Sequence, residues 1–231
     1  MKHGKKYKEI AEKIEKGKAY ELSDAVDLFQ KYVTAKAHNT VEIHMKLGVD
    51  PKHADQVVRG NVVLPNGTGQ KVTILAFAKG DFAKAAEEAG ADFVGGEDLV
   101  AKIQEGWMGF DKVVATPDMM PIVGRVARIL GPRGMMPNPK SGTVVTNMAN
   151  AISELKAGKV SYRVDKGSNV HAAIGKINFE KEKLMENIKA LVHSVVKAKP
   201  VASKGEYIKS IYLAVAMSPS IMLSKAVTRY I

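Results

Sequence analysis

Thr40, Glu42, His44 and Lys46 alternate with Val41, Ile43, Met45 and Leu47 along one uninterrupted stretch. A period of two places a hydroxyl, a carboxylate, an imidazole and an ammonium on one face of a strand and the apolar set on the other. Such a face can hold phosphate oxygens through Lys46 and accept base N–H groups through Glu42, the two tasks of a surface that grips and reads an opened nucleic-acid loop. A carboxylate there repels phosphate unless it accepts hydrogen bonds, as from a guanine edge, so Glu42 would carry specificity. The plainer alternative is a solvated sheet face with Glu42 paired to Lys46. Lys36, Lys46, Lys166 and Lys176 are phosphate candidates, each otherwise a generic surface charge. Met217, at the end of the last predicted strand, either packs against a ribose or base or is an ordinary core methionine.

Other chemistries lack their residues. The 6 histidines show neither His-Glu-x-x-His nor a paired metal spacing, so no metal is expected and His44 and His171 are read as hydrogen-bonding residues. With 0 cysteines there is neither a disulfide framework nor a thiolate site, which suits a reducing compartment. No serine nucleophile elbow and no Gly-x-Gly-x-x-Gly follows the apolar run Val72 to Ala78, so no catalytic residue and no cofactor is assigned. The segment Gly131 to Thr143 crowds φ-free glycines and φ-fixed prolines together and is predicted as a loop of defined shape. Its backbone N–H groups invite an anion-cradle reading, but Pro132, Pro137 and Pro139 remove donors and the Gly-x-x-x-x-Gly-Lys-Ser/Thr pattern is absent.

The elements that must position these residues fall into two groups. Val72 to Ala78 is a solid apolar strand, followed by a predicted helix over Phe82 to Ala89, a strand at Phe93-Val94, a helix near Asp98 to Gln104 and a strand at Val113 to Ala115. Apolar strands alternating with helices require a parallel sheet covered on both faces. A helix from Pro117 through Leu130 and another from about Asn147 through Leu155 complete this block. Around it, charges alternate at helical spacing from Lys5 to Lys18, and Ser23 with Asp24 can cap a helix through Tyr32. Alternating strands are predicted at Thr40 to Leu47, Val57 to Leu64, Val160 to Val164, Val170 to Lys176 and Ser210 to Met217. Glu180 to Lys197 is a helix with an apolar stripe through Leu184, Ile188, Leu191, Val192 and Val195. Glycine punctuation near Gly67, Gly69 and Gly158 marks the two crossings between the groups.

Charge separates the same groups. Residues 67–158 hold 10 Lys and Arg against 10 Asp and Glu, whereas residues 1–66 and 159–231 hold 25 against 14, the whole of the +11. A neutral block thus interrupts a basic one, and a polyanion partner belongs to the flanks. The pI near 9.6 favours nucleic acid over an acidic lipid surface, since no segment combines a long basic face with bulky aromatics. The basic start, Met1 to Lys6, leads into an amphipathic segment rather than an apolar signal core, and no run approaches the roughly 18 apolar residues of a membrane span. A soluble cytoplasmic protein is expected.

The loop Leu130-Gly131-Pro132-Arg133-Gly134-Met135-Met136-Pro137-Asn138-Pro139-Lys140-Ser141-Gly142-Thr143 resembles that of the bacterial form of the first large-subunit ribosomal protein, the L-one family. Thr40-Val41-Glu42-Ile43-His44, Lys46-Leu47-Gly48-Val49-Asp50-Pro51 and Gly106-Trp107-Met108 support the resemblance, which covers nearly the whole chain. It implies an α/β fold of two domains: a split α+β outer domain made by both termini (1–66 plus 159–231) and an inserted Rossmann-like, three-layer α/β domain (67–158). It also implies a ribosome-associated structural protein, monomeric when free, that binds large-subunit ribosomal RNA at the mobile stalk beside the tRNA exit site. Release of deacylated tRNA from that site and repression of translation through the protein's own messenger RNA are implied too.

Carried over by position, the RNA-contacting residues are Lys36, Thr40, Glu42, Lys46, Asp165, Lys166, Gly167, His171, Lys176, Ser210, Tyr212, Met217 and Ser218, with Gly67, Gly69 and Gly158 as hinge. Ala216-Met217-Ser218 stands where the family commonly has Thr-Met-Gly, so a threonine hydroxyl contact is missing. The Gly131 to Thr143 loop would serve shape recognition of RNA or rest against the outer domain. The competing function is an α/β enzyme holding a nucleotide or phosphorylated ligand in the inserted domain, disfavoured by the missing phosphate motif and by where the charge lies.

Overall fold

In chain order the elements are α1 (Lys5–Lys13), α2 (Leu22–Tyr32), β1 (Thr40–Leu47), β2 (Arg59–Val63), β3 (Ile74–Phe77), α3 (Asp81–Glu88), β4 (Phe93–Gly95), α4 (Glu97–Gln104) and β5 (Lys112–Ala115). Then follow the short turns α5 (Met120–Val123) and α6 (Ala127–Leu130), α7 (Met148–Lys156), β6 (Lys159–Arg163), β7 (Asn169–Lys176), α8 (Lys181–Lys197), β8 (Ile208–Val215) and β9 (Ile221–Leu223). The fold is that of a computed structural model, which describes residues 4–15, 17–32 and 39–229. Lys36 lies outside these residues. Contacts divide the chain into a unit of residues 1–69 with 158–231 and a unit of residues 70–157. The four residues by which this division differs from the charge blocks, 67–69 and 158, are uncharged, so the first unit still holds every excess cation.

In the unit formed by the two ends of the chain, β1 lies at the centre of an antiparallel sheet of order β7-β1-β8-β9. Its apolar set, Val41, Ile43, Met45 and Leu47, is buried against Phe29 and Val26 of α2 and Leu184, Ile188, Leu191 and Val195 of α8. Each helix presents an apolar stripe to the sheet, so one face of the sheet is core and the opposite face carries the alternate residues. α2 begins at Leu22, one residue before the predicted cap, and Ser23 spends its hydroxyl on the Asp24 carboxylate instead of a backbone N–H. β2 and β6 form a separate antiparallel ribbon beside this sheet.

The middle unit is built the other way. Its sheet, β4-β3-β5, is parallel, and all four residues of β3 are buried. Leu75 and Phe77 pack with α4 and the 117–130 segment, while Ile74 and Ala76 pack with α3 and α7. That two-sided burial is why this strand reads as an unbroken apolar run. The continuous helix expected from Pro117 to Leu130 is instead broken into short α and 3-10 turns. Pro117, Pro121 and Gly124 explain the breaks, because proline withholds a helix donor and glycine loosens the backbone.

The 131–143 loop has the defined shape its composition demands. Asn138 N donates to Thr143 Oγ1 at 2.9 Å, Asn138 Oδ1 accepts from Lys140 N at 2.8 Å, and Ser141 Oγ donates to Asn138 O at 2.9 Å. Met135 and Met136 pack against the core of this unit. Several of the loop's N–H groups are therefore spent within it, which leaves a poor anion cradle.

The crossings are tied to α8 by one residue. Asn187 is fully buried; its Oδ1 accepts from Asn66 N at 3.1 Å, and its Nδ2 donates to Gly67 O at 2.9 Å and to Ile174 O at 2.8 Å. Gly158, at φ +100°, lies so close to Gly67 that a Cβ there would sit 2.5 Å from the Gly67 Cα. These contacts explain why Gly67 and Gly158 fall with the first unit, and Gly69 joins them by lying against Phe179 and Lys176.

Candidate nucleic-acid interface

The face of the antiparallel sheet opposite α2 and α8 is assembled by register, and on its β8–β9 side Tyr7, Ala11 and Ile14 of the α1 segment line a cavity with Tyr212 and Met222. Glu42 is paired with Ala173 of β7 and Ala214 of β8, His44 with His171 and Tyr212, Lys46 with Asn169 and Ser210, and Thr40 with Lys176. Tyr212 continues the middle row to Met222 of β9. Two turns bound this face. The Asp165–Ser168 turn closes on the Lys46 end, where Lys46 Nζ donates to Gly167 O and Leu47 N donates to Ser168 O at 2.8 Å. The Ala216–Ser218 turn follows β8 at the opposite end, where Val41 pairs with Val215 and Ser218 N donates to Val215 O at 3.1 Å.

Glu42 is flanked by two alanines, so no neighbouring side chain in its row covers its carboxylate, and the side chain is 51% exposed. The expected alternative pairing with Lys46 is not what forms: Lys46 is turned to Gly167 O, and the basic group nearest Glu42 is His44 Nε2, at 3.7 Å. A shift in register between Val41 and Glu42 against β7 locally re-aims this position.

His44 and His171 meet Nδ1 to Nδ1 at 2.7 Å, so one donates and the other accepts. This bears out their reading as hydrogen-bonding residues. Burial and the neighbouring His171 hold the His44 imidazole below its ordinary range, against a smaller opposite pull from Glu42. On the far side His171 Nε2 lies 3.4 Å from Asp165 Oδ2. The Asp165 carboxyl is held low chiefly by the backbone N–H of Asn169, with the Asn169 side chain, His171 and the Gly167 N–H adding to it. Lys176 Nζ donates to Thr40 Oγ1 at 2.9 Å, joining two further site residues.

Met217 is not a core methionine. β8 ends at Val215, two residues before the predicted end, and Met217 stands in the following turn, 94% exposed. Its φ is +65°, and Ser168 in the other bounding turn has φ +62°. These are the two non-glycine residues with positive φ among the described residues. Such backbone, costing on the order of 1–3 kcal/mol, concentrates at working surfaces.

The sequence reading brings Thr40, Glu42, Lys46, His171, Lys176, Ser210 and Tyr212 onto one face, with Asp165, Lys166 and Gly167 in one bounding turn and Met217 and Ser218 in the other. It passed over Asn187, although an asparagine between Leu184 and Leu191 on an apolar stripe is the signal of a buried polar clamp. It also passed over β9, whose three residues are too short to show a period.

A mixed α/β chain with a net charge of +11, whose antiparallel sheet sets polar residues on the face opposite its helical core, belongs to the class of basic proteins suited to binding nucleic acid. A model of the Ribosomal protein L1p/L10e family matches residues 29–219. The match takes in most of the chain, which therefore belongs to this family of ribosomal, RNA-binding structural proteins. Association with the large ribosomal subunit and its RNA follows from that membership. Among the described residues no helix is long and apolar enough to cross a membrane.

Proposed function

We propose that this chain is a non-enzymatic constituent of the large ribosomal subunit that grips ribosomal RNA at the mobile stalk beside the tRNA exit site. The observation that carries this reading is the Glu42 carboxylate, open between Ala173 and Ala214 in a unit that holds the whole excess of cations. A carboxylate left unpaired by lysine on a basic surface is suited to base N–H groups, so Glu42 reads an opened RNA loop. Lys46, Lys166, Lys176 and Lys36 meet phosphates, and Met217 lies against a ribose or base. Asp165, Gly167, His171, Ser210, Tyr212, Thr40 and Ser218 supply hydrogen bonds around them.

In this reading the unit of the two termini is the RNA-binding domain, and the middle unit is a Rossmann-like insertion that turns on Gly67, Gly69 and Gly158. The protein is cytoplasmic, monomeric when free and without a cofactor. It assists release of deacylated tRNA from the exit site and represses translation by binding its own messenger RNA.

The test is filter binding of Glu42→Ala to large-subunit ribosomal RNA and to poly(U). The variant is expected to lose about 1–3 kcal/mol on the cognate RNA and little on poly(U). Equal losses on both would remove the specificity role of Glu42.

A further inference from the structure

The β2–β6 ribbon has one settled face and one unassigned face. Inward, Tyr162 is buried, and its hydroxyl meets Ser194 Oγ of α8 at 2.8 Å. It passes beneath Gly60, where a Cβ would lie 2.5 Å from the tyrosine oxygen. Val62 and Val160 pack on the same side. Alternation then turns Arg59 and Asn61 of β2 and Ser161 and Arg163 of β6 outward. The register sets Arg59 directly opposite Arg163 and Asn61 directly opposite Ser161.

Two like charges directly opposite on a sheet destabilise it, the more so when nothing lies between them. Both arginines are exposed, and neither meets an acidic side chain among the described residues. The acid nearest in sequence, Asp165, has its oxygens taken by Asn169 N at 2.7 Å, Asn169 Nδ2 and His171 Nε2. The register thus sets two exposed arginines directly opposite one another with no acidic partner between them among the described residues.

This pair continues the interface. Val164 bridges Val170 in antiparallel register, and both valines are buried. Arg163 and His171, each one residue from that bridge, therefore share the outward face. A single row runs Arg59, Arg163, His171, His44, Tyr212 and Met222 across both sheets.

We infer that Arg59 and Arg163 form a clamp for one RNA backbone phosphate, extending the RNA-binding face beyond β7 onto the ribbon. The inference rests on the RNA-binding reading above. Phosphate presents the planar, bidentate acceptors that arginine forks match, and one phosphate between two forks turns the repulsion into attraction. Asn61 and Ser161, next along the ribbon, can donate to the adjoining ribose or phosphate.

The test uses the full chain with Arg59→Gln, Arg163→Gln, both together, and Arg59→Lys with Arg163→Lys, bound to purified large-subunit ribosomal RNA across a salt series. The double glutamine variant is expected to bind about tenfold more weakly and to lose about 0.7–0.9 from the slope of log affinity against log salt. Each single glutamine variant should show most of that loss, because both forks hold one phosphate. The double lysine variant should keep the slope and lose affinity, since lysine keeps the charge without the fork. Melting of the free double glutamine variant should be unchanged or raised, as a repulsion has been removed. Wild-type slope and affinity in the double glutamine variant would overturn the clamp and leave the interface standing. A double glutamine variant that loses twice the slope lost by either single would mean separate phosphates and also overturn it, as would a lowered melting temperature. A wild-type chain that binds no RNA in a salt-dependent way would remove the interface and the clamp together.

Discussion

β1 and β3 are both the central strands of their sheets, yet they do opposite things with their side chains. β3 buries all four of its residues between helices on either side, and its unit carries equal numbers of acids and bases. β1 buries every second residue and sets Thr40, Glu42, His44 and Lys46, half-buried or exposed, on the opposite face, in the unit that holds the whole +11. A sheet covered on both faces gives stability and leaves its strands nothing to bind with; a sheet covered on one face keeps a working surface. On the proposed reading the middle unit supplies cohesion and the unit of the termini supplies recognition.

The sharpest break of that comparison is Phe77→Ala. Removing a fully buried ring from the middle unit should cost about 3–5 kcal/mol. Chemical denaturation should show the loss in the middle unit while RNA affinity is kept. A large fall in RNA affinity would mean that the two regions do not divide their work.

Asn187→Ala should come next. It strands the Asn66 N–H and the Gly67 and Ile174 carbonyls, an expected loss of about 1–3 kcal/mol in the unit of the termini. Hydrogen exchange at Asn66 and Gly67 should rise with it; unchanged protection there would show that the clamp does not hold the crossing.

Lys46→Ala is smaller. It should weaken cognate and unrelated RNA alike and flatten the salt dependence by about 0.7–0.9 log units per log salt. A loss confined to the cognate RNA would move Lys46 from phosphate to base contact.

The smallest effect is in pH. His44 takes a proton at about 6.5 in the unfolded chain and only at lower pH in the folded one. Its contribution to stability is complete above pH 6.5 and falls as pH drops from there through the folded value. Asp165, also held low, adds a second decline below about pH 4. A melting series on His44→Gln should lack the first decline; its persistence would assign it to another group.

What was legible in the sequence followed from period and punctuation. The alternation at Thr40 to Leu47 gave the strand and its working face, because one-sided burial writes a period of two into the residues. The apolar run before Lys79 gave a two-sided strand for the same reason. The helix start near Asn147 was legible too, and the Asn147 side chain accepts from Asn150 N at 3.2 Å. What stayed hidden depends on partners far away in sequence. The choice of Gly167 over Glu42 by Lys46, the exposure of Met217 and the Arg59–Arg163 juxtaposition are set by strand register and turn geometry, which no local pattern encodes. The broken helix after Pro117 was a misreading of signals that were present: two prolines and a glycine outweighed the apolar stripe.

Because Gly158 packs against Gly67, the two crossings lie side by side, and a short linker can join residue 69 to residue 158. The decisive measurement is the affinity of that joined chain, 1–69 with 158–231, for large-subunit ribosomal RNA beside that of the whole protein. Retention within about tenfold, roughly 1.4 kcal/mol, is the expected result. A folded joined chain that has lost its RNA affinity, or a middle unit that binds the RNA by itself, would contradict the division of labour between the two sheets.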